Sequence, residues 1–159
     1  MRKHIIGKDH PAEVSSKPGE LNLPAIATAL VSSEDAEYPI DNAFDTRRGP
    51  GGSRWIAAEP GEQTLILAFD SPQTIQRISL EVEEQEASRT QELQLAVSHD
   101  GQTYRELLRQ EYNFSPPGTT FEREDWSVTA PQVTHLRLWI KPDKGGKPCR
   151  ATLTSLSLR

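Results

Sequence analysis

Three groups of residues in this chain have the types and spacing that chemistry uses. The run EVEEQE (81–86) sets carboxylates close together, as the paired acid and base of glycoside hydrolysis require. The stretch YPIDNAFDTRRGPGGSRWIAA (38–58) gathers an aspartate turn, arginines, glycines and a proline ahead of one tryptophan. Metal loops, phosphate loops and structural corners all share that composition. Cys149 is the only cysteine, so no intrachain disulfide can form. Its neighbours Lys147 and Arg150 could lower a thiol pKa, and the plainer alternative is an inert thiol beside the last strand.

Several chemistries can be set aside. GPGGSR (49–54) lacks the Lys-Ser/Thr that follows the last glycine of a phosphate loop. Histidines 4, 10, 99 and 135 show no metal-ligand spacing, and there is no Gly-x-Ser-x-Gly elbow. Half of EVEEQE should face solvent on a strand, and a stand-alone sandwich of this size is expected to recognise rather than hydrolyse. A net charge of -5, with scattered lysines and arginines, argues against a nucleic-acid surface.

The elements that must position these residues are strands. QTLILAF (63–69), ISLEVE (78–83), ELQLAVS (92–98) and LRLWI (136–140) alternate apolar with polar residues, the period of a strand with one buried face. Turn signals separate them at Asp70-Ser-Pro72, His99-Asp-Gly101, Ser115-Pro-Pro-Gly118 and Asp143-Lys-Gly-Gly146. Further strands are expected at 26–32, 104–112, 120–128 and 151–158, with a short helical turn near Asp41–Phe44. About eight strands at regular spacing predict an all-β antiparallel sandwich over residues 23–159. Residues 1–22 read as a flexible arm. No run of about eighteen apolar residues is present to span a membrane. The first residues lack the apolar stretch of a secretory signal, so the expected location is cytoplasmic.

Strand parity carries polar residues onto the inward face. Extending the phase of Leu80 and Val82 reaches Glu84, and that of Leu93 and Leu95 runs back to Gln91 and Arg89. The phase of Trp126 and Val128 runs back to Glu124 and Glu122, while Tyr112 and Gln110 share the phase of Leu108. With strands running up and down, these residues meet at one end of the sandwich. Charges in such a place must be paired or solvated. The expectation is therefore either a polar pocket or a closed network of ion pairs.

The order of PIDNAFD, SRW, FDSPQTIQRISLEV, LQLAVSHDGQTYREL, VTHLRLWI and ATLTSLSL resembles the discoidin family. These are the coagulation factor C-type domains, galactose-binding-like jelly rolls, and the likeness spans roughly residues 25–159. It implies that Trp55 is a core anchor and that Ser98-His-Asp-Gly101 forms a hairpin. It also implies a calcium corner at Asp45, as many members have. The chain departs from that pattern with Thr46 in place of the turn glycine and Ser155 in place of a last-strand glutamate. Arg47, Arg48 and Arg54 further oppose a cation, and Arg54 reaching Asp45 could replace the ion. No cofactor is expected, calcium being the one open alternative.

Sugar-binding members carry an arginine and an amide where Arg89-Thr-Gln-Glu92 stands. The resemblance therefore implies a carbohydrate ligand, with Arg89 donating to hydroxyls and Gln91 and Glu92 orienting it, in the pocket that parity lines with Glu84, Glu122 and Glu124. The loop DKGGKPCR lacks the aromatic that sugar-binding relatives commonly carry, so Tyr112 or Phe114 would supply the apolar platform. The alternative is an intracellular adaptor that meets a protein partner through Phe114, Pro116 and Pro117.

Overall fold

The computed structural model describes residues 19–159, so most of the arm expected over 1–22, with His4 and His10, lies outside the described residues. Leu21, just beyond that boundary, donates its N–H to Leu158 O at 2.8 Å. A single helical turn, α1 (Leu23–Ile26), leads into eight strands. They are β1 (Ala27–Val31), β2 (Trp55–Pro60), β3 (Gln63–Glu83), β4 (Arg89–Ser98), β5 (Tyr104–Phe114), β6 (Phe121–Lys141), β7 (Arg150–Leu153) and β8 (Ser155–Leu158). The turn expected near Asp41–Phe44 is a 3-10 helix, Ile40–Phe44. The fold is the antiparallel jelly roll that the spacing predicts.

Two strands make the sandwich. The sequence predicts a turn at Asp70-Ser-Pro72, but β3 runs through it for 21 residues. The inward phase changes there, from Leu65, Leu67 and Phe69 to Ile78, Leu80 and Val82, and register shifts between Ala68 and Arg77 absorb the change. The partner strand β6 does the same, with Gln132 at φ 55°. The first half of β3 therefore pairs with β1 and the second half of β6, while its second half pairs with β8 and the first half of β6.

Strand order β1-β3-β6-β4-β5 forms the front layer. The back layer is β8 with the far halves of β3 and β6, and β2 and β7 form a separate pair. Leu67, Leu95, Leu136 and Leu138 of the front meet Ile78, Leu80, Leu156 and Leu158 of the back in one buried cluster. The one strand expected over 151–158 is two, because Thr154 leaves the β2 pairing and donates its N–H to Glu81 O at 2.9 Å. Strand β2 itself has no clear alternation in the sequence, and its pairing with β7 defines it.

Candidate functional site

Arg89 opens β4 and points into the sandwich, and its guanidinium is almost fully committed. Nε donates to Glu84 Oε1 at 2.6 Å, and Nη1 to Gln91 Oε1 at 2.8 Å and Pro142 O at 2.7 Å. Nη2 donates to Thr152 Oγ1 at 3.1 Å, so four of the five N–H groups a guanidinium offers are used. Gln91 Nε2 donates to Thr152 O at 3.0 Å, and Thr152 N–H returns to Gln91 Oε1 at 3.3 Å. Arg89, Gln91 and Thr152 are all buried. These contacts join Glu84, Arg89 and Gln91, which parity brings to this end, in one hydrogen-bonded network. It fastens the end of β3, the start of β4, the end of β6 and β7 together.

The other expected site residues separate around this network. Phe114 is buried, with the Arg89 guanidinium 5.9 Å from its ring centroid, so it offers no platform to a ligand and no contact to a partner. Tyr112 is buried too, and its hydroxyl makes no hydrogen bond among the described residues. Burial, aided by the charges of Glu124 and Glu122, pushes that phenol well above its ordinary pKa. Glu124 reaches across the edge of the sandwich to accept from Gln110 Nε2 at 2.8 Å. Glu122 lies opposite Val82 at that same edge, half-buried. Glu92 is not with them, because alternation after Gln91 turns it to the outer face beside Lys141 and Glu111. Pro117 is exposed in the loop after β5, with Pro116 half-buried.

Above the network lies the loop 142–149, and its position is well defined. Asp143 accepts from Thr90 N–H and from Lys147 N–H, both at 3.0 Å, and those donors hold its carboxyl below the usual range. Lys147 Nζ caps Ser88 O at 2.9 Å, and Arg150 pairs with Asp35 at 2.8 Å. Neither basic side chain activates Cys149, whose thiol is pushed up by burial rather than lowered. An open cleft of about 320 Å3 runs between this loop and the start of β3, lined by Pro60, Glu62, Lys141, Asp143, Lys147 and Pro148.

Beside the cleft is an aromatic that the sequence reading missed. Thr64, Trp139, Gln94 and Arg109 stand in one row across β3, β6, β4 and β5, on the outer face of the front layer. With Arg137 they line a hollow of about 220 Å3. The half-buried indole of Trp139 is oriented by its N–H, which donates to Glu62 Oε1 at 3.0 Å. Glu62 thereby joins the hollow to the cleft. Arg137 stacks 4.2 Å from the Tyr104 ring centroid. Gln94 Nε2 and Arg109 Nε both donate to Glu106 Oε1, at 2.7 and 2.5 Å. The phase of LRLWI already turns Arg137 and Trp139 outward. What it cannot show is the row, since β6 pairs with β4 and β3, neither of them its neighbour in sequence.

Comparison with known proteins places this fold. A model of the F5/8 type C domain matches residues 28–151. The chain belongs to the F5/8 type C domain family. No curated protein matches it. Among solved structures, module CBM32-3 of a family 31 glycoside hydrolase from Clostridium perfringens is 14% identical, with a TM-score of 0.63 over 87% of this chain and 93% of that one. The family 32 carbohydrate-binding module of Clostridium perfringens NanJ, in complex with galactose, is 12% identical, with a TM-score of 0.59 over 87% and 96%. Chitosan-binding module 1 of a Paenibacillus sp. IK-5 chitosanase/glucanase is 23% identical, with a TM-score of 0.53 over 87% and 98%.

At the corner of this F5/8 type C domain the protein itself supplies donors to the turn aspartate. Both carboxylate oxygens of Asp45 accept hydrogen bonds from the protein, Oδ1 from Arg47 N–H at 2.9 Å and Oδ2 from Ser53 Oγ. Ser155, where a carboxylate would be needed, brings only a hydroxyl, whereas calcium takes six to eight hard oxygens. Arg54 does not reach Asp45. Its guanidinium lies 5.5 Å from the Tyr38 ring centroid. Thr46 keeps the left-handed conformation of the glycine it replaces, at φ 66°.

The glycines that follow have another task. Gly49 N–H donates to Glu81 Oε1 and Gly51 N–H to Glu83 Oε2, both at 2.8 Å. At φ 89° and 79° the loop turns these amides onto two buried carboxylates of β3. Trp55 follows as the core anchor, buried, with Nε1 donating to Ser33 O at 3.0 Å. The carboxylates of EVEEQE that look catalytic in the sequence are therefore partly consumed in seating this loop.

Proposed function

We propose that this domain is a non-catalytic carbohydrate-recognition module whose ligand stacks on Trp139. The observation that carries the reading is a fixed indole set between an amide and two guanidiniums at the mouth of a cleft. A pyranose presents C–H groups on its faces and hydroxyls around its rim. An aromatic plate suits the first, and fixed donors and acceptors suit the second. Gln94 Oε1 and the Arg137 guanidinium make no hydrogen bond among the described residues, so both can turn to hydroxyls. Arg89 then acts at one remove, holding the Pro142 carbonyl and with it the loop that walls the neighbouring cleft. The similar folds described as binding galactose and chitosan support the ligand class.

The test is binding to an immobilised glycan array by wild type and Trp139→Ala. Loss of signal in a variant that melts within a few degrees of wild type is the expected result. Undiminished binding by Trp139→Ala would overturn the site. A silent wild type would overturn the ligand class.

One observation favours the protein-adaptor reading, namely Leu30. It is 54% exposed at the far edge of the same face, paired with Ile66. On that reading Leu30→Asp, and not Trp139→Ala, abolishes the interaction.

A further inference from the structure

The outer face of the back layer holds a second cleft, and its chemistry differs from everything on the front. Ser157, Ser79 and Asp125 form a row across β8, β3 and β6. Arg77, Arg123 and Arg159 stand around that row, and Arg48 reaches over it from the glycine-rich loop together with Glu20. The cavity measures about 250 Å3.

Among the side chains that line this space, four guanidiniums face two carboxylates. The carboxylates are already taken. Glu20 pairs with Arg48 Nη2, while Asp125 accepts from Ser79 Oγ and lies 3.6 Å from Arg123 Nε. Among the described residues, the side chains of Arg77 and Arg159 make no hydrogen bond, although, with the Ser79 hydrogen bond, the charge of Arg77 helps to hold the Asp125 carboxyl down, and Arg48 Nε is buried without a partner. Unspent guanidinium donors around a walled polar cavity, beside two serine hydroxyls, are what a multiply charged oxyanion needs.

We infer that this cleft binds a doubly charged tetrahedral oxyanion, a sulfate or phosphate group, through Arg48, Arg77 and Arg159. The site lies on the layer opposite Trp139 and does not rest on the carbohydrate reading. An ester group on a larger ligand and the free ion would meet the same donors.

The test follows the arginine Nε–H signals of the 15N-labelled protein in NMR titrations with sodium sulfate, sodium phosphate and, at matched ionic strength, sodium chloride. Saturable shifts of the Arg48 and Arg77 signals with sulfate and phosphate, absent with chloride, are expected. Arg77→Met and Arg159→Met should each weaken sulfate binding about tenfold, the size of one charge-assisted hydrogen bond. Arg77 is exposed, so its variant keeps the fold, and a dispersed amide spectrum verifies that. A fourth titration with a phosphorylated monosaccharide, whose ester group is also a dianion, separates the two sources. Tighter binding than inorganic phosphate, with shifts spreading along the cleft, assigns the ester, and equal affinity assigns the free ion. Shifts that grow linearly and equally with all salts would overturn the site, as would unchanged affinity in the Arg77→Met/Arg159→Met double variant.

Discussion

Replacing Arg89 by methionine tests whether the polar end is a closed network. Methionine keeps most of the stem and removes the guanidinium. Pro142 O then loses its donor, and Glu84 loses its cation while its side chain is only 15% exposed. Two partners are spared in part. Gln91 Oε1 still accepts from Thr152 N–H at 3.3 Å, and Thr152 Oγ1 can still donate to Glu83 O at 3.4 Å. Breaking a buried ion pair from one side costs about 3–5 kcal/mol. Glu84 can regain some hydration, which puts this case near the low end, at about 3 kcal/mol. That is a large share of the ~5–15 kcal/mol that holds a domain together. For a chain of this length it lowers Tm by roughly 6–12 °C. Urea denaturation of the wild type, Arg89→Met, Glu84→Gln and the double variant is the assay. The double variant should lose less than the sum of the singles, because the two side chains share one interaction. A loss below about 1 kcal/mol for Arg89→Met, at unchanged m-value, would refute the closed network and return Arg89 to solvent and ligand.

Three further outcomes follow from the geometry. Thr46→Gly relieves a non-glycine residue at φ 66° and should raise the unfolding free energy from urea denaturation by about 0.5–1 kcal/mol, whereas Gly49→Ala, at φ 89°, should cost about 1–2 kcal/mol through backbone strain alone. Tyr112→Phe removes a buried hydroxyl that has no partner, so it should leave stability unchanged or raise it by about 1 kcal/mol; a clear loss in thermal denaturation would show that the hydroxyl is bonded in solution. The Asp100 carboxyl accepts from Thr103 and Gln102 N–H and from Ser98 Oγ, which bring it down to about 2. A carboxyl depressed on folding stabilises the fold above its unfolded pKa of about 3.9 and loses that contribution as pH falls through the folded value. Unfolding midpoints taken from pH 5 to pH 2 should therefore fall less steeply for Asp100→Asn than for the wild type.

The strands were legible because alternation is a local property. Leu65, Leu67, Leu93, Leu95, Leu136 and Leu138 all face the core that their spacing predicts. The continuity of β3 through Asp70-Ser-Pro72 was not legible, because a bulge and a turn use the same residues and differ only in what pairs alongside. Parity likewise brought Glu84, Arg89 and Gln91 to one end, but whether they form a pocket or a lock depends on Thr152 and Pro142, which arrive from elsewhere in the chain. Glu92 was misplaced for a simpler reason. Its neighbours in the motif do not fix its side, because a strand sends adjacent residues to opposite faces.

Recognition in this domain falls to the polar groups that the frame does not use. A polar residue on the inner face of a two-layer sandwich must find partners within the protein, and here Arg89 and Gln91 find them in β7 and in the loop after β6. On the outer side, the glycine loop takes up Glu81 and Glu83 in the same way. Each of these contacts makes the frame stiffer and leaves less for a ligand. Among the described residues, the polar groups without a hydrogen-bond partner sit on the outer faces, with the Arg137 guanidinium and the acceptor Gln94 Oε1 beside Trp139 on the front, and Arg77 and Arg159 beside Arg48 on the back. The two faces differ in what they offer. The front has an aromatic plate and suits a neutral ring, whereas the back has only charge and hydroxyls and suits an anion. A variant on one face should therefore leave binding at the other unchanged. Trp139→Ala that retains its sulfate shifts, and Arg77→Met that retains its glycan signal, are the paired results that this division of labour requires.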